Sequence, residues 1–137
     1  MKAIKDVRLK EYDYSSNGFY FVTICTHHRK PFFINTVLSK LVENEIKKIS
    51  SIKGVSLDQF VIMPDHLHMI INFDDCDLKL GEIVRRFKAK VSKQITAKVW
   101  QPNYYEHVIR DEKALRKTRE YILNNPLVAE IDFEQFY

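Results

Sequence analysis

"VIMPDHLHMIINF", residues 61–73, sets two histidines one residue apart inside an apolar run. Proline cannot donate to a β-ladder, so Pro64 and Asp65 break the stretch from Val55 to Phe73 into two strands, about 55–63 and 66–73. Side chains two apart on a strand share a face. His66 and His68 therefore project together, while Leu67, Met69, Ile71 and Phe73 project the other way. One face of the second strand suits a core, and the other carries paired imidazoles.

The flanking segments alternate in type around this hairpin. After Gly18, "FYFVTICT" predicts a strand over roughly 18–26, ended by the turn-like "HHRKP". Val37, Leu38, Leu41, Val42, Ile46 and Ile49 recur at three- and four-residue steps and predict an amphipathic helix over 35–50, with Asn35 as its cap and Gly54 beyond its end. Leu80, Ile83, Val84, Phe87, Val91, Ile95 and Val99 predict a second helix from Leu80 to Trp100, basic on its outer faces. "NYYEHVIR" reads as a short strand, and Asp111 caps a helix that reaches Asn124 or Asn125 before Pro126 stops it. The tail "LVAEIDFEQFY" is ambiguous. The order β-α-β-β-α-β-α implies an α+β, ferredoxin-like (split βαβ) antiparallel sheet with two helices on one face and an additional C-terminal helix. The sheet's open face is the obvious surface for that last helix.

Composition bounds the rest. A chain of 137 residues, 45% hydrophobic, builds one core, so a single domain over 1–137 is expected. Repeats, low-complexity tracts and interdomain linkers are absent from the sequence. Cys25 and Cys76 form neither a CxxC pair nor a disulfide scaffold, which fits a reducing compartment. No apolar run approaches the ~20 residues that span a bilayer, and the polar start has no signal core. A soluble cytoplasmic protein without a membrane partner is expected. The net charge of +4 and pI near 9.0 suit a polyanionic partner. Arg85, Arg86, Lys88, Lys90 and Lys93 face only one acid, Glu82, between Lys79 and Lys98, so the basic character is concentrated there.

Two imidazoles at i and i+2 are well placed to share a metal ion, but alone they make an incomplete site. In "DEKALRKTREYILNNP", Tyr121 and Asn125 lie four residues apart on one helical face. Asn125 offers an amide oxygen as third ligand, and Tyr121 brings a phenol. Structural roles stand beside these: local hydrogen bonds for the histidines, core packing of Tyr121 with Leu115 and Thr118, and a C-terminal cap by Asn125.

"RLKEYDYSSNGFYFVTICTHHRKPFF", "IMPDHLHMII" and "WQPNYYEHVIRDEKALRKTREYILNNP" resemble the REP-associated tyrosine transposases, a branch of the single-tyrosine transposases in the HUH endonuclease superfamily. The resemblance runs from about Arg8 to Pro126. It implies that His66 and His68 are metal ligands, that Tyr121 on its late helix is the nucleophile, and that Asn125 completes the ligand set where insertion-sequence relatives typically have glutamine. Asp65 departs from a frequent asparagine and Met69 from a frequent small residue; both adjoin the metal site. The implied activity is single-strand DNA cleavage and strand transfer near hairpins or palindromic repeats, through a 5′-phosphotyrosine linkage. The implied enzyme works as a monomer or a homodimer.

The chemistry suits these residue types. Two imidazoles and an amide are neutral, so a bound Mg²⁺ or Mn²⁺ keeps its charge for a phosphate and leaves about half of an octahedral shell open. A phenol with a pKa of ~10 needs a nearby cation to attack at neutral pH. Arg85, Arg86, Lys88, Lys90 and Lys93 are candidates for tracking DNA phosphates, as are Arg29, Lys30 and Arg110 near strand ends; a solvated surface is the plainer reading of each. Tyr104, Tyr105 and Trp100 are candidates for stacking on bases or for the core. Among rivals, a histidine-triad nucleotide hydrolase needs a third histidine where Ile70 stands. An RRM-type binder needs an aromatic RNP1 pattern that is absent. A catalytically inert, domesticated transposase would have lost a ligand or the tyrosine, whereas all four candidates are present.

Overall fold

The computed structural model describes residues 12–124. Strand β1 (Gly18–Cys25) leads to helix α1 (Thr36–Lys48), the hairpin β2 (Val55–Met63) and β3 (His66–Phe73), helix α2 (Leu80–Gln94), strand β4 (Tyr105–Ile109) and helix α3 (Glu112–Asn124). The strands form one antiparallel sheet in the order β2-β3-β1-β4, the split βαβ arrangement expected from the element order.

Alternation along β1 and β3 divides the interior. Tyr20, Val22, Ile24, Leu67, Met69, Ile71 and Phe73 pack with Val42 and Ile46 of α1 and Leu80, Ile83, Val84, Phe87 and Val91 of α2. Phe21 and Ile70 face the other way and pack with Leu115 and Ile122 of α3 and Ile109 of β4. The helices start where their caps predict: Asn35 Oδ1 accepts from the Val37 and Leu38 amides, and Asp111 Oδ1 accepts from Ala114 N. Between α1 and β2, Gly54 holds φ +81 where a Cβ would come within 2.7 Å of Asp74 O, so the close approach of the two chain segments needs glycine.

Two boundaries differ from the sequence expectation. The second helix stops at Gln94 rather than Trp100, because Ile95 turns extended at φ −122, ψ 129. The following segment returns along the end of β1: His27 N donates to Val99 O, Gln101 N donates to Cys25 O, and Trp100 bridges to Thr26. Its indole packs against Phe33 and Phe87, and Nε1 donates to Lys88 O. Ile95 and Val99 keep helical spacing, but β-branched Ile95 and Thr96 are weak helix formers, and burial of Trp100 outweighs another turn. The second difference lies in β2, where the ladder slips between Leu57 and Gln59. Val55 and Leu57 face α1 and α2 before the slip, Phe60 and Ile62 after it.

Candidate active site

The site is built on the α3 side of the sheet. His66 and His68 are buried on β3, with ring centroids 4.9 Å apart. His68 stacks on Phe21 of β1 at 5.2 Å, and α3 lowers Tyr121 edgewise onto both rings, 5.6 Å from His68 and 6.1 Å from Phe21. The Nε2 atoms of both histidines and the Tyr121 hydroxyl are buried. Strand alternation supplies the histidines' direction, and α3 covers that face because Leu115, Thr118 and Ile122 recur at three- and four-residue steps toward it.

Each imidazole is held from behind. His66 Nδ1 lies 2.7 Å from Asp65 Oδ1, and His68 Nδ1 lies 2.7 Å from Thr23 Oγ1. The Asp65 carboxylate can only accept, so it favours the His66 tautomer whose lone pair sits on Nε2, the arrangement used by metal-binding histidines; the Thr23 hydroxyl is able to accept from His68 Nδ1 in the same tautomer. Burial pushes the His68 imidazole well below its ordinary value, with repulsion from His66 adding to it; burial also lowers His66, against the opposing Asp65 carboxylate. Both rings are therefore neutral at pH 7, as ligands must be. Two neutral, second-sphere-supported nitrogens fit a divalent ion as part of its ligand set. Among the described residues no group of three or more His, Cys, Asp or Glu is arranged to hold a metal. The third expected ligand, Asn125, lies outside the described residues.

Asp65 and Arg29 complete the backing. Arg29 Nε and Nη2 meet Asp65 Oδ2 at 3.1 and 3.0 Å, so one carboxylate oxygen takes the guanidinium and the other takes His66. Burial alone would raise the Asp65 carboxyl, yet the His66 hydrogen bond and the Arg29 charge bring it below its ordinary value. Arg29 thus sets a positive charge beside the carboxylate that holds His66. The loop that presents Arg29 is strained, with φ +52 at His28 and +54 at Arg29. Thr26 fastens it to the hairpin turn, donating from N and from Oγ1 to Asp65 O, and Phe33 N donates to Pro64 O.

Other sequence candidates are scattered. Lys30 and Arg110 are exposed. Arg85 and Arg86 are exposed on α2, across the sheet from the histidines, and share Glu82 at 2.7–2.8 Å. Lys88 Nζ donates to Gln101 O and Asn103 O, tying α2 to the segment before β4. Lys90 and Lys93 project from α2 into solvent. Tyr104, Tyr105 and Trp100 are buried. Thr23 and the Arg29–Asp65 pairing were not foreseen as parts of the site. Thr23 carries a signal in hindsight, being a polar residue on the same face as Phe21 in an otherwise apolar strand.

A ferredoxin-like sheet with two imidazoles on a central strand and a tyrosine laid over them by a late helix defines a single-tyrosine transposase class of protein. Residues 14–125 match the family described as "Transposase IS200 like", and the chain belongs to that family. It is 37% identical to an uncharacterized protein of Haemophilus influenzae, over 93% of this chain and 91% of that one. It is 26% identical to the REP-associated tyrosine transposase of Escherichia coli, covering 83% of this chain and 69% of the relative. Among solved structures, a REP-associated tyrosine transposase bound to a REP hairpin superposes with a TM-score of 0.75 at 25% identity, covering 88% of this chain and 72% of that one. A crystal structure from Deinococcus radiodurans shares the fold at a TM-score of 0.59 and 17% identity, over 85% and 97% of the two chains.

Proposed function

We propose that this chain is a metal-dependent single-stranded DNA endonuclease and strand transferase that acts beside hairpins in palindromic repeats. The observation that carries the reading is the meeting of Tyr121, from α3, with His68, from β3, in one buried corner. His66, His68 and Asn125 would hold Mg²⁺ or Mn²⁺, which when bound supplies positive charge for the phosphate oxygens. Asp65 and Thr23 keep the imidazoles aimed, and α3 keeps the phenol oxygen beside them. In the step itself the Tyr121 oxygen bonds to phosphorus as the bond to the 3′ oxygen breaks. The phenol proton leaves to solvent, and the departing oxygen becomes a 3′-hydroxyl. The 5′-phosphotyrosine retains the phosphodiester's energy, so another 3′-hydroxyl reverses the step and joins strands without ATP. The exposed Lys30 and Arg110, and the basic outside of α2, are proposed to hold DNA phosphates.

The hairpin-bound structural relative supports hairpin DNA as the substrate class. The test incubates the protein with end-labelled single-stranded hairpins from palindromic repeats of its own genome, with Mn²⁺ or EDTA, on denaturing gels. A metal-dependent covalent adduct is expected from the native chain and none from Tyr121→Phe, with hairpin affinity within about 2-fold. Tight, salt-sensitive binding without an adduct in the native chain would instead identify an inert DNA binder.

A further inference from the structure

Strand β2 breaks its alternation at one residue. Leu57 pairs with Ile71 and Gln59 with Ile70, so Asp58 is the extra residue of a bulge. A bulge re-aims its side chain, and the Asp58 carboxylate meets α3. Arg119 Nε donates to Oδ2 at 2.8 Å and Nη2 to Oδ1 at 2.6 Å. The same guanidinium lies over the Phe19 ring, 5.8 Å from its centroid. Arg119 precedes Tyr121 by two residues in one helix, and Asp58 stands on the strand hydrogen-bonded to β3, which carries both histidines. The pair thus ties α3, which carries the tyrosine, to the strand paired with β3, which carries the imidazoles.

We propose that Asp58 and Arg119 are positioning residues that fix the register and rotation of α3, and through it Tyr121, over the histidine pair. This rests on the nuclease reading for its consequence but not for its geometry. Leu115 and Ile122 hold α3 to the sheet by apolar contact, which is non-directional. A planar fork on a carboxylate fixes orientation as well as distance. The pair is partly exposed, 38% for the Arg119 side chain and 18% for Asp58, so its effect is moderate and comes from geometry rather than depth. The bulge also sets the phase of β2: were the ladder unbroken through Asp58, Val61 and Met63, which now pair with His68 and His66, would face the opposite side of the sheet.

The test uses the full chain with Asp58→Asn, Arg119→Gln, Arg119→Lys and the exchanged pair Asp58→Arg with Arg119→Asp. Each single change should speed hydrogen exchange of α3 amides by about 5- to 10-fold while α1 and α2 keep their protection. It should also shift the His68 ring resonances, which sense the Tyr121 ring. Adduct formation at saturating hairpin and Mn²⁺ should slow by about 10-fold with unchanged hairpin affinity, and the exchanged pair should recover most of the loss. Arg119→Lys, which keeps the charge but not the fork, should resemble Arg119→Gln. Unchanged α3 exchange and His68 resonances in Asp58→Asn, or native behaviour of Arg119→Lys, overturns the proposal, as does a folded exchanged pair with no recovery. If the exchanged pair loses α1 and α2 protection, the single changes decide. An absent adduct in the native chain, with α3 and His68 still responding, removes the nuclease reading and leaves the clamp standing.

Discussion

The two faces of the sheet are made by the same strands and differ in what covers them. On one face, Leu67, Met69, Ile71 and Phe73 meet two helices in a large apolar core. On the other, Ile70 shares β3 with His66 and His68, and among the described residues one helix, α3, packs over a small cluster around Phe21. The first face has enough apolar area to hold the fold; the second has room for polar groups that a sealed core would exclude. Stability and site chemistry are thus separated by the thickness of one sheet, although the residues responsible alternate along a single strand.

The separation is broken or sharpened by changing each face in turn. Ile71→Ala and Ile122→Ala both empty fully buried positions and should each cost about 2–5 kcal/mol in chemical unfolding, a large fraction of a small protein's stability. Ile71→Ala should leave the adduct rate per folded molecule unchanged, and Ile122→Ala should lower it; equal rates would dissolve the distinction between the faces. Asp65→Asn removes the anion behind His66 while keeping its shape, and calorimetric Mn²⁺ affinity should fall by about 10-fold. Wild-type affinity would detach Asp65 from the site.

Proton linkage gives a smaller effect with a definite sign. His68 and His66 have folded values below the ordinary imidazole value of 6.5, so the unfolded chain binds protons first as pH falls. Their contribution is complete above that value and is lost as pH drops from it toward the depressed folded values. The thermal midpoint should fall through this window, and saturating Mn²⁺ should resist the fall because it binds the neutral rings. A midpoint that is flat in pH would contradict their burial. The smallest effect is expected far from the chemistry: Lys90→Ala with Lys93→Ala should weaken hairpin binding by a few fold and reduce its salt slope by about one per lysine. The adduct rate at saturating DNA should hold, and a changed rate would place α2 in the chemistry.

Local pattern carried much of this protein. Proline at 64 fixed the hairpin, period-two alternation separated His66 and His68 from Leu67 and Met69, and Asn35 and Asp111 marked helix starts through hydrogen bonds to amides two or three residues on. These features depend on neighbours in the chain, so residue type and spacing suffice to read them. The motifs "HLH" and "REYILNNP" likewise carried the family. What spacing could not carry depends on residues distant in sequence. Ile95 and Val99 kept helical period, yet Trp100 is drawn back between Phe33 and Phe87 and ends α2 early. Arg29, a candidate DNA contact by its place near a strand end, also pairs with Asp65 far along the chain. The Asp58 bulge flips the phase of β2, and Arg119 meets it across the sheet. The basic run of α2, a candidate for tracking DNA phosphates, lies on the opposite side of the sheet from the histidines. Outside the β2 bulge, the sequence by itself determined which residues share a face, because that is set by the backbone's own period. Only the tertiary structure decided which faces meet, because burial and charge pairing are settled between segments that the chain brings together from afar.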